Sequence, residues 1–370
     1  MEIKINKNDL LNELQLIQGV VERKTTMPIL SNALFEAKGK HLITTATDLE
    51  VGITSSVPIS VIKPGKITLH ARGLHDIVRE LPDEMVHITV KENHWVQVTC
   101  GRAEFKIAGL SPNDFPELPL RVEGSSSTLS CSDVTTMIEK TSFAMSTDET
   151  RYNLNGVLVE HTEAGKETKL RMVATDGHRL SVVDRPTDGK WKLSKGVIIP
   201  RKGVLELKKL IEGQEGTFQL RLDEKHLLAT RDQVTLTVRL IDGQFPPYAQ
   251  VIPKQTKRIV SVERTAMVQA LKRVSAMTTE RTRGIRFSVS PKNLEITAST
   301  PDLGEARELL SVSYKGDPFE IGFNARYFLD ALSILEDEQA VLQLGDDTTP
   351  CFLQSERDRG FQHVIMPMRL

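Results

Sequence analysis

The sequence predicts an α+β fold made of three tandem copies of one domain, and three repeated features predict it. The first is a strand that runs into a turn, L-R-M-V-A-T-D-G-H-R-L over 170–180. Similar stretches begin at Leu42 and Leu294, so the unit recurs at a step of about 125 residues, as tandem domains do. The second feature is an amphipathic helix before each copy, and the third is a strand–turn–helix after it. Short helices beside many alternating strands are typical of α+β domains.

The leading helix of each copy is predicted by apolar residues at helical spacing. The three helices are expected over about 9–20, 132–143 and 264–277. Ser132 or Asp133 is a suitable N-cap for the second helix.

A pair of strands follows each leading helix, and the second strand of the pair runs into the repeated turn. In the middle copy the connection between the two strands, 161–169, is predicted as a surface turn. The strand–turn–helix copies read I-T-L-H-A-R-G-L, V-I-I-P-R-K-G-V and I-G-F-N-A-R-Y-F. Each places an arginine in the turn before a short helix. These arginines are Arg72, Arg201 and Arg326, and the short helices are expected over 75–81, 205–211 and 329–335.

The domain boundaries are predicted from polar and Gly/Ser-rich or Pro-containing stretches. V-E-G-S-S-S over 122–127 and the stretch 253–257 are the expected linkers. The domains are therefore placed at 1–122, 127–253 and 254–370.

The composition is that of an ordinary globular chain and excludes several classes of protein. Of 370 residues, 39% are hydrophobic and 26% charged, and the formal net charge is −1. A nucleic-acid-binding surface must therefore be local. The three cysteines are far apart, which argues against a zinc site or a disulfide framework and favours a reducing compartment. No apolar run approaches the roughly 20 residues that span a bilayer. We expect a cytoplasmic protein without membrane contact.

Two interpretations of the central turn are possible. Asp176 and His178 could act as an acid–base pair, with Thr175 as a nucleophile. Alternatively, T-D-G is turn chemistry, in which the aspartate bonds its own backbone and the glycine takes a positive φ. The turn interpretation is favoured because Asp48 occupies the equivalent position in the first copy without a histidine. No phosphate-binding or hydrolase motif is found in the sequence.

At this point the sequence resembles one family, the bacterial replicative sliding clamp, the β subunit of DNA polymerase III. The resemblance covers the whole chain and is carried by six motifs in order. It implies three clamp domains per subunit and a head-to-tail homodimeric ring, with helices lining the hole and antiparallel sheets outside. It also implies a non-catalytic processivity factor without a metal or cofactor. The motifs are M-P-I-L-S-N (27–32), R-Y-N-L-N-G (151–156), V-A-T-D-G-H-R-L (173–180), I-P-R-K-G-V (199–204), D-G-Q-F-P (242–246) and M-P-M-R-L (366–370).

The terminal peptide V-I-M-P-M-R-L is too apolar for a frayed chain end. It could be a last edge strand on its own domain, or one wall of an apolar pocket that adaptable methionines help to form. The resemblance implies the pocket, which captures a short extended segment of polymerases and of the clamp loader. Gln250 and Pro247 depart from the usual Arg and Asp of the family and change the charge at the rim. The implied pocket residues are Leu154, Thr175, Gly177, His178, Arg179, Leu180, Pro246, Val251, Val364, Met366, Pro367, Met368, Arg369 and Leu370.

Basic residues such as Lys140 lie on or beside the predicted helices. Each could belong to a solvated helix face, or together they could line a positive hole. Phosphate contacts of this kind carry no sequence information and permit sliding on duplex DNA. Asn153 and Asp148 stand where well-known members have Tyr and Gln. The DNA contacts implied by the resemblance are Lys24, Arg72, Arg79, Tyr152, Arg201, Lys202 and Arg283.

Four apolar residues are implied to form the subunit interface, although they could equally be simple core. They are Phe105 and Ile107 near the end of the first domain, and Ala276 and Met277 at the end of the third leading helix. The implied partners are duplex DNA, a second copy, the polymerase III catalytic subunit, the clamp loader, and other polymerases, mismatch-repair proteins and ligase. The alternatives from other classes are a hydrolase using Asp176 and His178, and a monomeric scaffold that does not bind DNA.

Overall fold

The three thirds of the chain repeat one order of helices and strands. The middle and last thirds both run β-α-β-β-β-β-α-β-β-β, and the first third has one additional strand. This order confirms the predicted α+β fold in three tandem copies. The structure is a computed structural model that describes residues 1–22, 26–119, 124–164, 167–187, 196–253, 257–279 and 283–369.

The first third begins with a strand and a leading helix and ends with a three-stranded meander. Its elements are β1 (Glu2–Asn6), α1 (Lys7–Ile17), β2 (Asn32–Lys38), β3 (His41–Thr47), β4 (Val51–Pro58), β5 (Ser60–Lys63), β6 (Gly65–His70), α2 (Ala71–Glu80), β7 (Met85–Val90), β8 (Trp95–Cys100) and β9 (Ala103–Leu110).

The middle third repeats this order without a counterpart of β5. Its elements are β10 (Ser125–Ser130), α3 (Cys131–Ser142), β11 (Gly156–Ala164), β12 (Glu167–Thr175), β13 (Arg179–Pro186), β14 (Val197–Pro200), α4 (Arg201–Ile211), β15 (Thr217–Leu222), β16 (His226–Arg231) and β17 (Val234–Arg239).

The last third has the order of the middle third. Its elements are β18 (Arg258–Glu263), α5 (Arg264–Ser275), β19 (Gly284–Ser290), β20 (Asn293–Thr300), β21 (Gly304–Ser313), β22 (Phe319–Asn324), α6 (Ala325–Ile334), β23 (Gln339–Leu344), β24 (Cys351–Gln354) and β25 (Phe361–Ile365).

The described residues form two compact units, each with one large antiparallel sheet. The first unit lies within 1–132 and 202–240, and its strands are ordered β10-β15-β16-β17-β4-β3-β2-β6-β9-β8-β7-β1-β5. The second unit lies within 133–187, 196–201 and 241–369, with the order β14-β11-β12-β13-β25-β24-β23-β18-β21-β20-β19-β22. Strands of the middle third thus occur in both sheets. The predicted domain boundaries stay a prediction.

Each unit buries the apolar side of a leading helix. In the first unit Leu10, Leu14 and Ile17 of α1 are fully buried. In the second unit Met267 and Leu271 of α5 are fully buried. These side chains lie at the spacing that predicted the helices, so the hydrophobic effect places them as the sequence indicates.

The predicted starts of the short helices were wrong by four residues. Each of these helices begins at 71, 201 or 325, so Arg72, Arg201 and Arg326 lie in its first turn rather than before it. Capping explains the early start in two copies. The Nδ1 atom of His70 accepts a hydrogen bond from the Gly73 N–H, and the Asn324 Oδ1 accepts one from the Arg326 N–H.

Other boundaries also differ from the predictions, by one to three residues. α1 ends at Ile17 and α5 ends at Ser275, two or three residues early, and α3 begins at Cys131 instead of at 132. Gly19, a weak helix former, follows the end of α1. The segment 161–169 is mostly strand, because β11 and β12 pair as far as Ala164 and Glu167.

Candidate functional site

A cavity of about 380 Å³ opens in the second unit, above an apolar floor. The floor belongs to a buried cluster that includes Leu158, Val173, Val182 and Phe352. The cavity is thus a mostly apolar cleft with a few polar groups at its wall, which is the usual character of a binding site. The residues that line it are Leu154, Thr175, Gly177, Arg179, Leu180, Pro246, Pro247, Tyr248, Gln250, Val251, Val364 and Met366.

One wall is the turn between β12 and β13, which its own side chains hold together. The Asp176 Oδ1 accepts hydrogen bonds from the N–H groups of His178 (2.9 Å) and Arg179 (3.1 Å). The Thr175 hydroxyl donates to the Arg179 carbonyl (2.6 Å) and accepts from the Gly177 N–H (3.1 Å). Gly177 has a φ of 89°, which glycine adopts without a steric penalty.

This geometry supports the turn interpretation of T-D-G over the catalytic one. The Asp176 Oδ2 accepts a hydrogen bond from the Arg179 Nε (3.0 Å), so the side chain that pairs with this carboxylate is Arg179 and not the His178 ring. The His178 ring instead stacks on Tyr327, with centroids 6.3 Å apart. The equivalent aspartate of the first copy, Asp48, bonds its own backbone in the same way.

A second wall comes from the loop after β17 and centres on Tyr248, which the sequence did not single out. Its hydroxyl donates to the Glu160 carboxylate and accepts from the Arg171 Nη1 (3.2 Å). Burial raises the pKa of Tyr248 to about 12, with Glu160 contributing. Arg171 also forms two hydrogen bonds to Asp184, of 2.6 and 2.8 Å. The tyrosine therefore stays protonated and fixed. Its position in an aromatic, proline-containing stretch, F-P-P-Y, was the available signal.

The third wall is the terminal strand β25 and the residue after it. β25 is not an edge strand, because it pairs with β13 on one side and β24 on the other. Val364 and Met366 line the cavity. The Met366 N–H donates to the His178 carbonyl and the Met368 N–H to the Gly322 carbonyl, both at 2.9 Å. The edge-strand interpretation was therefore wrong.

Nine of the residues implied for the pocket line this cavity together. His178, Pro367, Met368 and Arg369 are not among the lining residues, and Leu370 lies outside the described residues. The lining adds three residues that the implied set did not contain, and their binding role stays a prediction, as does that of the whole set. The three are Pro247, Tyr248 and Gln250.

The residues implied for DNA contact in the first unit differ in their burial and in whether their charges are already paired with carboxylates. Lys24 lies outside the described residues. The Lys202 ammonium pairs with Asp48 and lies 3.6 Å from a Glu22 oxygen, so its charge is held within the protein. Arg79 is exposed beside Glu80 (2.9 Å). The Arg72 Nε is buried and has no hydrogen-bond partner among the described residues.

In the second unit, Tyr152 is 57% exposed and Arg201 is exposed, whereas Arg283 is half-buried. Lys140 corrects the expectation of a solvated basic helix face. It is 8% exposed, and its ammonium donates to the Asp358 carboxylate at 2.6 Å. A lysine so placed cannot contact a phosphate without breaking this pair.

The two departures from the family near this surface have defined contacts. The Asn153 amide donates to the Gln244 carbonyl at 2.9 Å. Asp148 accepts hydrogen bonds from Thr150 and from the Arg151 Nε, at 3.0 Å for the arginine. These bonds, first of all that from the Thr150 hydroxyl, lower the pKa of Asp148. Asp148 is therefore a negative charge at the N-cap of the short helical turn Glu149–Leu154, which also carries Tyr152.

The residues implied for the subunit interface are accessible within each unit. Phe105 and Ile107 of β9 are half-buried, Ala276 is exposed and Met277 is half-buried. The last two follow α5 rather than ending it. None of the four is a fully buried core side chain, which leaves them available for contact.

The described residues contain no candidate metal-binding cluster and no candidate membrane-spanning helix. No group of three or more His, Cys, Asp or Glu side chains in the described ranges could hold a metal ion. Over the same ranges, no helix is long and apolar enough to cross a membrane.

Family models match nearly the whole chain in order. The N-terminal, central and C-terminal domains of the DNA polymerase III beta subunit match residues 1–119, 128–247 and 249–369. Proteins described as beta sliding clamps are similar over 100% of both chains. That of Pseudomonas putida is 40% identical, and those of Caulobacter vibrioides and Escherichia coli are 36% identical.

Solved structures of the same name have the same fold over 100% of both chains. A sliding clamp from Bartonella birtlesii bound to griselimycin has a TM-score of 0.96 at 36% identity. A clamp from Pseudomonas aeruginosa with ligand has a TM-score of 0.94 at 38% identity. A Caulobacter crescentus clamp, with polyethylene glycol bound to a putative β-motif tethering region, has a TM-score of 0.95 at 36% identity.

Proposed function

The chain belongs to the DNA polymerase III beta subunit family, the bacterial sliding clamps, and on this basis we propose how it acts as a clamp on DNA. As a member it is a non-catalytic processivity factor of DNA polymerase III, with DNA and polymerase as its partners. The proposal is that two copies close head to tail into a ring around duplex DNA in the cytoplasm. The cavity of the second unit then tethers a polymerase by a short peptide.

The tethering part of this proposal is carried by one observation, the apolar cavity between the β12–β13 turn and the terminal segment. Its size and apolar floor suit apolar side chains of a short extended peptide, with convergent polar groups at the wall. Met366 supplies an adaptable contact for several partners. The expected partners are the catalytic subunit, the clamp loader, other polymerases, mismatch-repair proteins and ligase.

Uncharged groups at the rim indicate what kind of peptide is favoured. Pro247 and Gln250 replace charged residues common in the family, and the Arg179 guanidinium is already paired with carboxylates. The side chains of the peptide should therefore bind mainly by apolar burial. A micromolar interaction corresponds to about −8 kcal/mol, and sharing one DNA molecule raises the effective concentration of the two partners.

The ring is supported by a strand junction that occurs in both units. In the first unit the last strand of the middle third, β17, pairs antiparallel with β4, which follows the β3 turn. In the second unit the last strand of the chain, β25, pairs in the same way with β13. Each junction joins the last strand of one repeat to the strand that follows the repeated turn of another. Such a junction is a natural way to join like domains.

The two strands that would form a third junction each have an open edge. In the described residues β9 pairs with β6 only at Gly109 and Leu110, and β21 pairs with β18 only at Val312 and Ser313. We expect β9 of one copy to pair with β21 of the next. A head-to-tail contact of this kind closes a ring when its rotation allows it.

The internal junctions also predict the register of the third. Leu236 lies opposite Ile53 and His363 opposite Ser181. Phe105 and Leu236 occupy equivalent positions, because each lies two residues after the first paired residue of its strand. Ala306, Ile53 and Ser181 are also equivalent, because each lies opposite the alanine of the repeated strand that precedes the turn. Placing Phe105 opposite Ala306 sets two pairs of opposite charge on the exposed face. These pairs are Glu104 with Arg307, and Lys106 with Glu305.

Contact with duplex DNA is assigned to exposed basic and aromatic side chains on and beside the helices. Arg79, Arg201 and Tyr152 are the most accessible of the implied residues. Lysine and arginine contacts to phosphate carry no sequence information, so they hold the duplex weakly while the ring prevents escape. Sequence-independent sliding follows from this combination.

The test of the tether is fluorescence anisotropy with a labelled Q-L-x-L-F-type peptide. The full chain is titrated beside a chain that ends at Ile365 and beside Met366→Ala. We expect binding near the micromolar range by the full chain, a loss of at least about tenfold for Met366→Ala, and none by the truncated chain. The matched control is Ile62→Ala, which truncates an exposed residue (52%) of the other unit. Equal binding by the full and truncated chains would contradict the proposal.

Two further measurements, of enzymatic turnover and of native mass, separate the two rival functions. A hydrolase would lose turnover in His178→Ala, whereas the clamp should show only weaker peptide binding. A monomeric scaffold would have a native mass of 41.4 kDa, whereas the ring should have 2 × 41.4 kDa.

A further inference from the structure

The polar wall of the cavity depends on Arg179, whose guanidinium is almost completely buried. Its side chain is 6% exposed, yet it lines the cavity where a peptide would lie. A buried guanidinium is tolerated only when its charge and its N–H donors are satisfied. The position of this group, and therefore the shape of the wall, is decided by whatever satisfies it.

Three acceptors and two rings hold the guanidinium. The Nε donates to the Asp176 Oδ2 at 3.0 Å, the Nη1 to the Asp330 Oδ2 at 2.6 Å, and the Nη2 to the Phe143 carbonyl at 2.5 Å. The Cζ atom lies 5.3 Å from the Phe143 ring centroid and 4.7 Å from that of Tyr327. Charge-assisted bonds of this length are among the strongest in proteins.

The three acceptors of the Arg179 guanidinium are its anchors, and Asp330 is the side-chain anchor that lies outside the β12–β13 turn. Asp176 belongs to the same turn as Arg179, and the Phe143 acceptor is a backbone carbonyl. Asp330 lies on α6, so it connects the wall of the cavity to a helix more than 140 residues away in sequence. Its carboxylate also faces the exposed Arg326, whose Nε lies 3.6 Å away.

We propose that Asp330 is a positioning residue for the peptide cavity, acting through Arg179. The inference rests on the proposed peptide-binding function and deepens it. Without the carboxylate, the Nη1 donor has no acceptor at 2.6 Å, and the guanidinium turns toward water at the cavity mouth. That movement changes the wall against which the peptide packs. Arg326 only shares the outer side of the carboxylate, so its loss leaves all three anchors of Arg179 in place.

The experiment compares Asp330→Ala with Arg326→Ala in the full-length protein, using the labelled Q-L-x-L-F-type peptide. Asp330→Ala is expected to weaken binding about tenfold, the scale of one lost charge-assisted hydrogen bond. Arg326→Ala, the matched control, should remain within about twofold. Asp330→Asn keeps an acceptor oxygen and should fall between the wild type and Asp330→Ala. Thermal melting confirms that each variant is folded.

A double-mutant cycle distinguishes positioning from general loosening of the fold. With Arg179→Lys, which cannot reach all three anchors, the further change Asp330→Ala should alter the peptide affinity by less than about twofold. A loss that adds in full would overturn the inference, because Asp330 would then act independently of Arg179. Wild-type affinity in Asp330→Ala, or an equal loss in Arg326→Ala, would overturn it too. Failure of the wild type to bind would instead refute the proposed function.

Discussion

His363 is fully buried in the middle of β25, and neither ring nitrogen has a hydrogen-bond partner among the described residues. Its ring centroid lies 5.3 Å from that of Phe143 and 6.3 Å from that of Phe361. Burial lowers the pKa of His363 to about 3, and the nearby charge of Arg179 adds to this effect. The folded protein therefore keeps this histidine neutral, whereas an unfolded chain protonates it near pH 6.5.

This difference predicts an acid-sensitive stability. Because the folded state binds fewer protons, the free energy of unfolding is unaffected by His363 above pH 6.5. It should fall below that pH by about 1.4 kcal/mol per pH unit, down to the folded pKa. Replacing His363 with Leu should remove this contribution. Urea unfolding of both proteins at fixed concentration, from pH 7.5 to 4.5, should show curves that diverge below pH 6.5.

The control for this measurement is His41→Leu, since His41 is exposed. Its pH curve should run parallel to that of the wild type. Other titrating groups contribute equally to the compared proteins and cancel in the difference. A constant difference between wild type and His363→Leu across the whole range would show that His363 is protonated equally in the folded and unfolded states.

The turns also show how one backbone conformation is reached by different residues. Gly177 has a φ of 89°, and in the equivalent turn of the first repeat Leu49 has a φ of 77°. A leucine there costs about 1–2 kcal/mol relative to a favourable conformation. The aspartate at the start of each turn bonds the following backbone N–H groups and offsets that cost. The turn therefore depends more on its aspartate than on its glycine.

At the scale of elements, helix α6 supports the cavity wall, because its residues Tyr327 and Asp330 contact Arg179. The helix has Asn324 as its N-cap, and the Asn324 Oδ1 accepts a hydrogen bond from the Arg326 N–H at 2.9 Å. Asn324→Ala should lower the free energy of unfolding by about 1 kcal/mol, the usual value of an N-cap. Asn324→Asp keeps the acceptor and adds a charge that suits the helix N-terminus, so it should be neutral or stabilising.

Chemical denaturation of the two variants and the wild type measures this difference. Equal stability of Asn324→Ala and the wild type would show that α6 begins without help from its cap. The early start of the short helices, which the sequence prediction placed four residues too late, would then need another cause.

For the whole molecule, the proposed β9–β21 register makes a prediction that charge reversal can test. Glu104→Arg or Arg307→Glu alone would oppose like charges in the ring. A ring of two copies contains the junction twice. Each single variant should therefore raise the dissociation constant of the dimer by about tenfold for each junction. The double variant Glu104→Arg/Arg307→Glu should restore it. Analytical sedimentation at decreasing protein concentration measures the dissociation constant of the dimer.

Retention on circular duplex DNA should follow the dimer in the same variants, since topology holds the ring in place. Glu36→Arg is a suitable control, because Glu36 lies on β2, which is not a strand of the proposed β9–β21 junction, and forms its ion pair with Lys66 (3.0 Å). A double variant no better than either single one would refute the register. Retention that survives in a monomeric variant would refute the ring.

Much of the fold and part of the site could be read from the sequence because their causes are local. The periods of apolar residues predicted all three leading helices, and T-D-G predicted the turn, since an aspartate reaches N–H groups only two or three residues away. The repeat itself was visible because each copy uses the same local chemistry. Nine residues of the cavity followed from the family resemblance.

The tertiary structure decided what depends on partners distant along the chain. β25 lies between β13 and β24 rather than at an edge, Lys140 is buried against Asp358, and Tyr248 stands in the cavity wall. Arg179 obtains Asp330 from another helix. Short-range backbone bonding leaves a pattern in neighbouring residues, so the sequence alone determined the repeats and turns. Packing and charge pairing join residues with no such pattern, so only the folded chain determines the cavity and its anchors.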